Sequence, residues 1–110
     1  MEPERLLKRH FGHSCFRPGQ KELIDALMTG RDVLGVMPTG AGKSVCYQLP
    51  ALMLPGMTLV ISPLISLMKD QVTALKEAGI PAVCLHSAMT EEERKSAYFQ
   101  VKEGRCKLLY

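Results

Sequence analysis

No two of the four cysteines, Cys15, Cys46, Cys84 and Cys106, are close enough in sequence to form a C-x-x-C pair. A zinc site or a dithiol redox motif is therefore unsupported. The cysteines are expected as small buried hydrophobes in a reducing compartment. No apolar stretch opens the chain: MEPERLLKRHF is charged throughout, so a secretory signal is not expected. No large excess of one charge is present either. The net charge of +3 permits a polyanionic partner but does not argue for one. Repeats, low-complexity tracts and linkers are missing too. The 110 residues correspond to one small domain or part of a larger one. A globular piece of this size buries roughly 65% of its unfolded surface, enough for a core.

Charge is also missing from Ser44 to Met68, a run long enough to suggest a membrane span. Pro50, Pro55, Gly56 and Pro63 interrupt it, and its periodicity changes partway. A strand buried on both faces between helices accounts for it better, because parallel strands are apolar on both sides. No membrane association is expected.

Hydrophobic periodicity predicts alternating elements. Pro3–His10 and Gly19–Thr29 read as helices, the second with Leu23, Ile24, Leu27 and Met28 on one face. Asp32–Met37 reads as a buried strand, followed by a glycine-rich loop and a helix from Lys43 that Pro50 interrupts. Met57–Ser62 is a second strand. Leu64–Ala78 is an amphipathic helix with Leu64, Leu67, Met68, Val72 and Leu75 on one stripe and Gly79 after its end. Ala82–His86 is a third strand. Thr90 and Glu93 form a capping box for a helix to about Glu103, with Ala97, Tyr98 and Val101 inward. Lys107–Tyr110 begins a fourth strand. Such alternation implies an α/β fold, a parallel sheet with flanking helices and right-handed crossovers. Ligands in these sheets bind beyond the carboxyl ends of the strands, where the Pro38–Ser44 loop lies.

That loop belongs to the stretch VMPTGAGKSVCYQLP, Val36–Pro50. A phosphate-binding loop reads G-x-x-x-x-G-K-[ST], and here Met37 stands where the first glycine is usual. Gly40 and Gly42 still supply the left-handed conformations that turn backbone N–H groups toward a phosphate. Lys43 would reach the β- and γ-phosphates, and Ser44 would give its hydroxyl to Mg²⁺. The helix beginning near Lys43 adds a favourable dipole. The missing glycine lies at the strand end, farthest from the phosphates, so Met37 raises a packing question and leaves the cradle whole. The competing interpretation, a glycine turn with a solvent lysine, fits poorly with a loop set between a buried strand and a helix.

Four blocks resemble, in order and spacing, the start of the first motor domain of a RecQ-family DNA helicase, across essentially the whole chain. FGHSCFRPGQ, Phe11–Gln20, resembles motif 0, in which a glutamine and a nearby arginine read the adenine edge. The resemblance assigns those roles to Gln20 and Arg17. An amide carries both the donor and the acceptor that adenine's N7 and N6 require. His13 stands where the family often has a ring stacked on the base. MPTGAGKS resembles motif I of superfamily-two helicases, a family that commonly lacks the first glycine.

VISPLISLMKDQV, Val60–Val72, resembles motif Ia, which touches single-stranded DNA and differs in DEAD-box RNA helicases. A helix N-terminus there offers free N–H groups to a phosphate, and Lys69 adds charge. LHSAMT, Leu85–Thr90, resembles the motif Ib region, although Glu91, Glu92 and Glu93 occupy the next helix's positive end and would repel a phosphate.

The resemblance implies a RecA-like P-loop NTPase fold, truncated. Residues 1–30 would be N-terminal helices carrying motif 0. Residues 31–110 would be the first part of the ATP-binding domain, ending before the D-E-x-H motif. The implied function is the ATP-binding portion of a 3′–5′ DNA helicase in repair and recombination. Its cofactors would be ATP and Mg²⁺, and its location the cytoplasm or the nucleoid. Its partners would be single-stranded DNA or a duplex junction, together with the parent's remaining helicase domains. The nucleotide set is Arg17, Gln20, Met37, Pro38, Thr39, Gly40, Ala41, Gly42, Lys43 and Ser44, with Lys43 and Ser44 in catalysis and Ser44 on the metal. The DNA set is Pro63, Leu64, Ser66, Lys69 and Ser87. The 110 residues contain no D-E-x-H, so this chain alone is expected to be inactive. A non-catalytic nucleotide- or nucleic-acid-binding module is the alternative. A P-loop kinase would leave FRPGQ and SPLISL unexplained.

Overall fold

The structure, a computed structural model, describes residues 2–38 and 42–110. Its contacts divide the chain into two compact units, Met1–Pro55 and Gly56–Tyr110.

The first unit is helical. α1 (Pro3–Leu6) has proline in its first turn, where the missing N–H costs nothing, and continues as a π-helical turn, Leu7–Phe11. Gly12, at φ 73°, ends it. α2 (Gln20–Met28) follows Gly19, whose φ of 88° only glycine adopts readily. α3 (Val45–Met53) contains Pro50 and runs on past it, so the expected interruption does not occur. Pro50 is buried in the body of α3, and its carbonyl accepts from the N–H of Leu54. Leu6, Leu7, Ile24, Val45 and Leu49 form the core, with Phe11, Phe16, Met28, Leu52 and Met53 packed against them.

The expected buried strand Asp32–Met37 is the main correction. No ladder is assigned to it among the described residues, and Leu34 and Val36 are 90% and 89% exposed. Its other face is covered. Val33 and Met37 are half-buried, and a Cβ added to Gly35 would lie 2.8 Å from a methyl of Leu23 on α2. The sequence predicts a strand buried on both faces; only one face is covered, and among the described residues no backbone partner covers the second.

The second unit is α/β: β1 (Thr58–Leu59), α4 (Ile65–Glu77), β2 (Ala82–Val83), α5 (Glu91–Lys102) and β3 (Leu108–Leu109). The strands make a parallel sheet of order β1-β3-β2, pairing Thr58 and Ala82 with Leu108, and Leu59 and Val83 with Leu109. Leu108 is fully buried at the centre. α4 buries Met68, Val72 and Leu75, while Leu64 and Leu67, expected on that stripe, are exposed. α5 buries Ala97 but leaves Tyr98 59% exposed, against expectation. The predicted capping box is present: Glu93 N–H donates to Thr90 Oγ1 at 3.2 Å, and Thr90 N–H to Glu93 Oε1 at 3.0 Å. Among the described residues no helix is long and apolar enough to cross a membrane.

Candidate functional site

The loop between the π-helical turn and α2 is anchored by Phe16, which packs on the first unit's core. Its polar end turns the other way. His13, Cys15, Arg17 and Gln20 share one cleft of about 200 Å³ with Gly42, Ser44 and Val45. Two stretches more than twenty positions apart in sequence thus line a single cavity. The first carries the expected base-reading residues, and the second carries the end of the glycine loop.

Gln20 makes the connection. It is 3% exposed, and its Oε1 accepts from the backbone N–H of Arg17 at 2.9 Å. Its Nε2 donates to the carbonyl of Gly42 at 2.9 Å. Gly42 itself has φ 77°, and a Cβ there would collide with Gln20 Nε2. Glycine is thus required at this position twice, once by backbone conformation and once by the Gln20 amide.

Beyond Gly42 the chain enters α3. Ser44 is the residue before the helix, and its carbonyl accepts from the N–H of Gln48 at 2.9 Å. Lys43 is exposed and lies on the wall of a second, more apolar cleft of about 270 Å³ with Leu23, Leu27, Val33, Gly35, Met37, Cys46 and Tyr47. The structure therefore sets Ser44 in the cleft of Arg17 and Gln20, while Lys43 borders the adjacent one. Pro38 is exposed at the loop's start. Thr39, Gly40 and Ala41 lie outside the described residues.

Two sulfurs pack beneath the loop. Cys46 Sγ lies 3.8 Å from Met37 Sδ and 3.9 Å from the Gly42 carbonyl. Burial pushes the Cys46 thiol above its ordinary pKa, so it stays protonated at neutral pH. Cys106 is buried in the second unit and raised for the same reason. Cys15 is exposed, contrary to expectation, and lines the polar cleft.

The expected DNA set falls in the second unit. Pro63, Leu64, Ser66 and Lys69 are all exposed at the start of α4, whose first residue is Ile65. Lys69 also lines a cleft of about 370 Å³ with Thr73, Lys76, Cys84, His86, Met89 and Glu93. Ser87 is exposed beside His86 in the following turn. That turn is braced from within: Ala88 N–H donates to His86 Nδ1 at 3.2 Å, and Arg94 Nη2 to the Ser87 carbonyl at 3.3 Å. Glu93 is held below the ordinary carboxylate range by the Thr90 N–H and hydroxyl, with Lys69 contributing less. Among the described residues no cluster of His, Cys, Asp and Glu could hold a metal ion.

The DEAD/DEAH box helicase family matches residues 17–110, from Arg17 to the last residue. The chain belongs to that family. Its RecA-like fold accounts for the small parallel sheet and flanking helices. Among curated helicases, the ATP-dependent DNA helicase RecQ of Synechocystis sp. is 50% identical over 97% of this chain and 22% of its own length. RecQ of Bacillus subtilis is 51% identical over 97% of the chain and 18% of its own length. The human ATP-dependent DNA helicase Q4 is 46% identical over 89% of the chain and 8% of its own length. The chain thus spans about a fifth of the bacterial helicases it matches.

Sequence reasoning did not anticipate three features of this helicase segment. The Gln20 amide is bound to the glycine loop, Cys46 touches both Met37 and Gly42, and Cys15 faces the shared cleft. The four-residue step from Gly42 to Cys46 is a helical neighbour relation and was available as a signal. The contact between Gln20 and Gly42 joins distant segments and has no local signature.

Proposed function

We propose that the Pro38–Ser44 loop, with Arg17 and Gln20, forms the ATP site of an ATP-dependent DNA helicase of the RecQ type. The observation that carries this is the Gln20–Gly42 hydrogen bond, which holds a residue suited to reading adenine against the loop suited to holding phosphates. Lys43 is assigned to the β- and γ-phosphates and Ser44 to Mg²⁺, which would compensate phosphate charge during hydrolysis. The positive-φ Gly42, whose hydrogen side admits no Cβ, fits a backbone cradle of this kind. Residues 1–30 would then serve base recognition and 31–110 the phosphates and DNA.

DNA is assigned to the exposed start of α4 and the Ser87 turn, through Pro63, Leu64, Ser66, Lys69 and Ser87. Support comes from Lys69 and His86 lining one cleft, with Ser87 next to His86. Single-stranded DNA or a duplex junction, 3′-to-5′ movement, a role in repair or recombination, and residence in the cytoplasm or on the nucleoid complete the proposal. The 110 residues alone are expected not to hydrolyse ATP, since they hold no D-E-x-H carboxylates.

The test is strand separation by a full-length helicase carrying these 110 residues, using forked duplexes with a 3′ or a 5′ tail and the Lys43→Ala variant as control. ATP-dependent opening of the 3′-tailed substrate, lost in the variant, supports the assignment. Opening that survives Lys43→Ala rejects it.

A further inference from the structure

Met37 occupies the position of the usual first loop glycine, and its side chain is not idle. Its Cε sits 3.9 Å from where a Cβ on Gly19 would be, and its Sδ lies 3.8 Å from Cys46 Sγ. Gly19 immediately precedes Gln20, and Gln20 holds Gly42. Cys46 also lies 3.9 Å from the Gly42 carbonyl. Hydrogen bond, sulfur contacts and this proximity together trace a ring: Gly19–Gln20, Gly42, Cys46, Met37, with the Met37 methyl lying where a side chain on Gly19 would begin. Two of its arms are loop glycines at positive φ, Gly19 at 88° and Gly42 at 77°. Backbone of that kind has no side chain of its own to pack, so its position depends on neighbours. Met37 is the member that reaches from the base-reading turn to the helix carrying the phosphate loop.

We propose that Met37 is a positioning residue for nucleotide binding, fixing the Gly19–Gln20 turn against α3 so that base and phosphates are held in register. The proposal rests on the nucleotide-site reading above. A thioether suits the task, being long, unbranched and able to fill the irregular space beside Leu23, Val33 and Cys46. A glycine at position 37 would restore the generic motif but open the ring. The counterintuitive consequence is that Met37→Gly binds ATP worse than the natural sequence.

Calorimetric titration with Mg-ATP and with inorganic triphosphate, for the natural protein, Met37→Gly and Met37→Leu, tests this. Met37→Gly should weaken ATP about five- to tenfold, through lost preorganisation, and triphosphate by less than about twofold. Met37→Leu, which conserves volume, should stay within about twofold of the natural protein for both. If Met37→Gly does not fold, Met37→Ala is scored by the same ratio. Equal weakening of both ligands would reduce Met37 to a structural residue, and unchanged ATP affinity would also overturn the proposal. Failure of the nucleotide-site reading looks different: the natural protein would bind ATP and triphosphate no better than its Lys43→Ala variant.

Discussion

Gln20 Nε2 donates to the carbonyl of Gly42 at 2.9 Å, joining the start of α2 to the end of the glycine loop. The same amide accepts from the N–H of Arg17, so its plane is fixed from both sides. A residue read from sequence as a base reader is thus also a brace for the cradle. Gln20→Ala should weaken inorganic triphosphate, which has no base, as well as ATP. The expected loss is about 1–3 kcal/mol for ATP, with a smaller loss for triphosphate. Competition against a fluorescent nucleotide measures both. A variant weakened for ATP alone would show that the bond to Gly42 has no role in holding the loop.

Gly35 faces the end of the Leu23 side chain. A Cβ there would meet the Leu23 methyls at 2.8 and 3.0 Å, close enough to force movement of a flexible side-chain end. Gly35→Ala should destabilise the protein by about 1 kcal/mol, the lower end of overpacking costs. Adding Leu23→Val, which removes reach at the same spot, should recover part of the loss. Thermal melts of the single and double variants decide it, and additive losses would mean the two positions do not compete for space.

The α5 cap carries a pH dependence of known sign. Glu93 is held below its ordinary carboxylate value by the Thr90 N–H first and the Thr90 hydroxyl second. A depressed folded-state pKa adds stability that is complete above the ordinary carboxylate range and is lost as pH falls through the folded value. Thr90→Ala should cost about 1 kcal/mol at neutral pH. Glu93→Gln should flatten the acid limb of the stability curve. Urea melts between pH 3 and 7, roughly spanning the carboxylate range, provide the readout. An unchanged acid limb in Glu93→Gln would contradict the assignment.

Thiol reactivity separates the cysteines. Cys15 is exposed, whereas Cys46 and Cys106 are buried with their thiols raised. Iodoacetamide should therefore modify Cys15 first and the buried pair last, because the thiolate is the reactive form. Because Cys15 lines the cleft of Gln20 and Ser44, Mg-ATP should slow its modification. Peptide mass mapping follows each site. Equal rates at Cys15 with and without nucleotide would move the base out of this cleft.

Much of this was legible in the chain. The α2, α4 and α5 cores, the Thr90–Glu93 box and the parallel sheet follow from periodicity and capping chemistry, which are local. Asp32–Met37 was legible only in part. Its apolar run is visible in Val33, Leu34, Val36 and Met37, but a strand buried on both faces also needs a partner for its backbone, and pairing is not a local property. Leu64, Leu67 and Tyr98 were misplaced for a related reason: a helix pattern gives the apolar stripe, whereas its width is set by what packs on it. In the site, Lys43 and Ser44 were candidates from motif chemistry and Gln20 from the family resemblance. The ring through Met37 and Cys46 was not, because it depends on how the Gly19 turn and α3 approach each other.

The central claim is that Lys43 and its loop hold the phosphates of ATP. Calorimetric titration of Mg-ATP into the natural protein and into Lys43→Ala tests it most directly, since binding is read without any need for turnover. The account predicts saturable binding by the natural protein and at least about a tenfold loss in the variant, as expected when a charge-assisted contact to phosphate is removed. Equal affinity of the two proteins for Mg-ATP would contradict it.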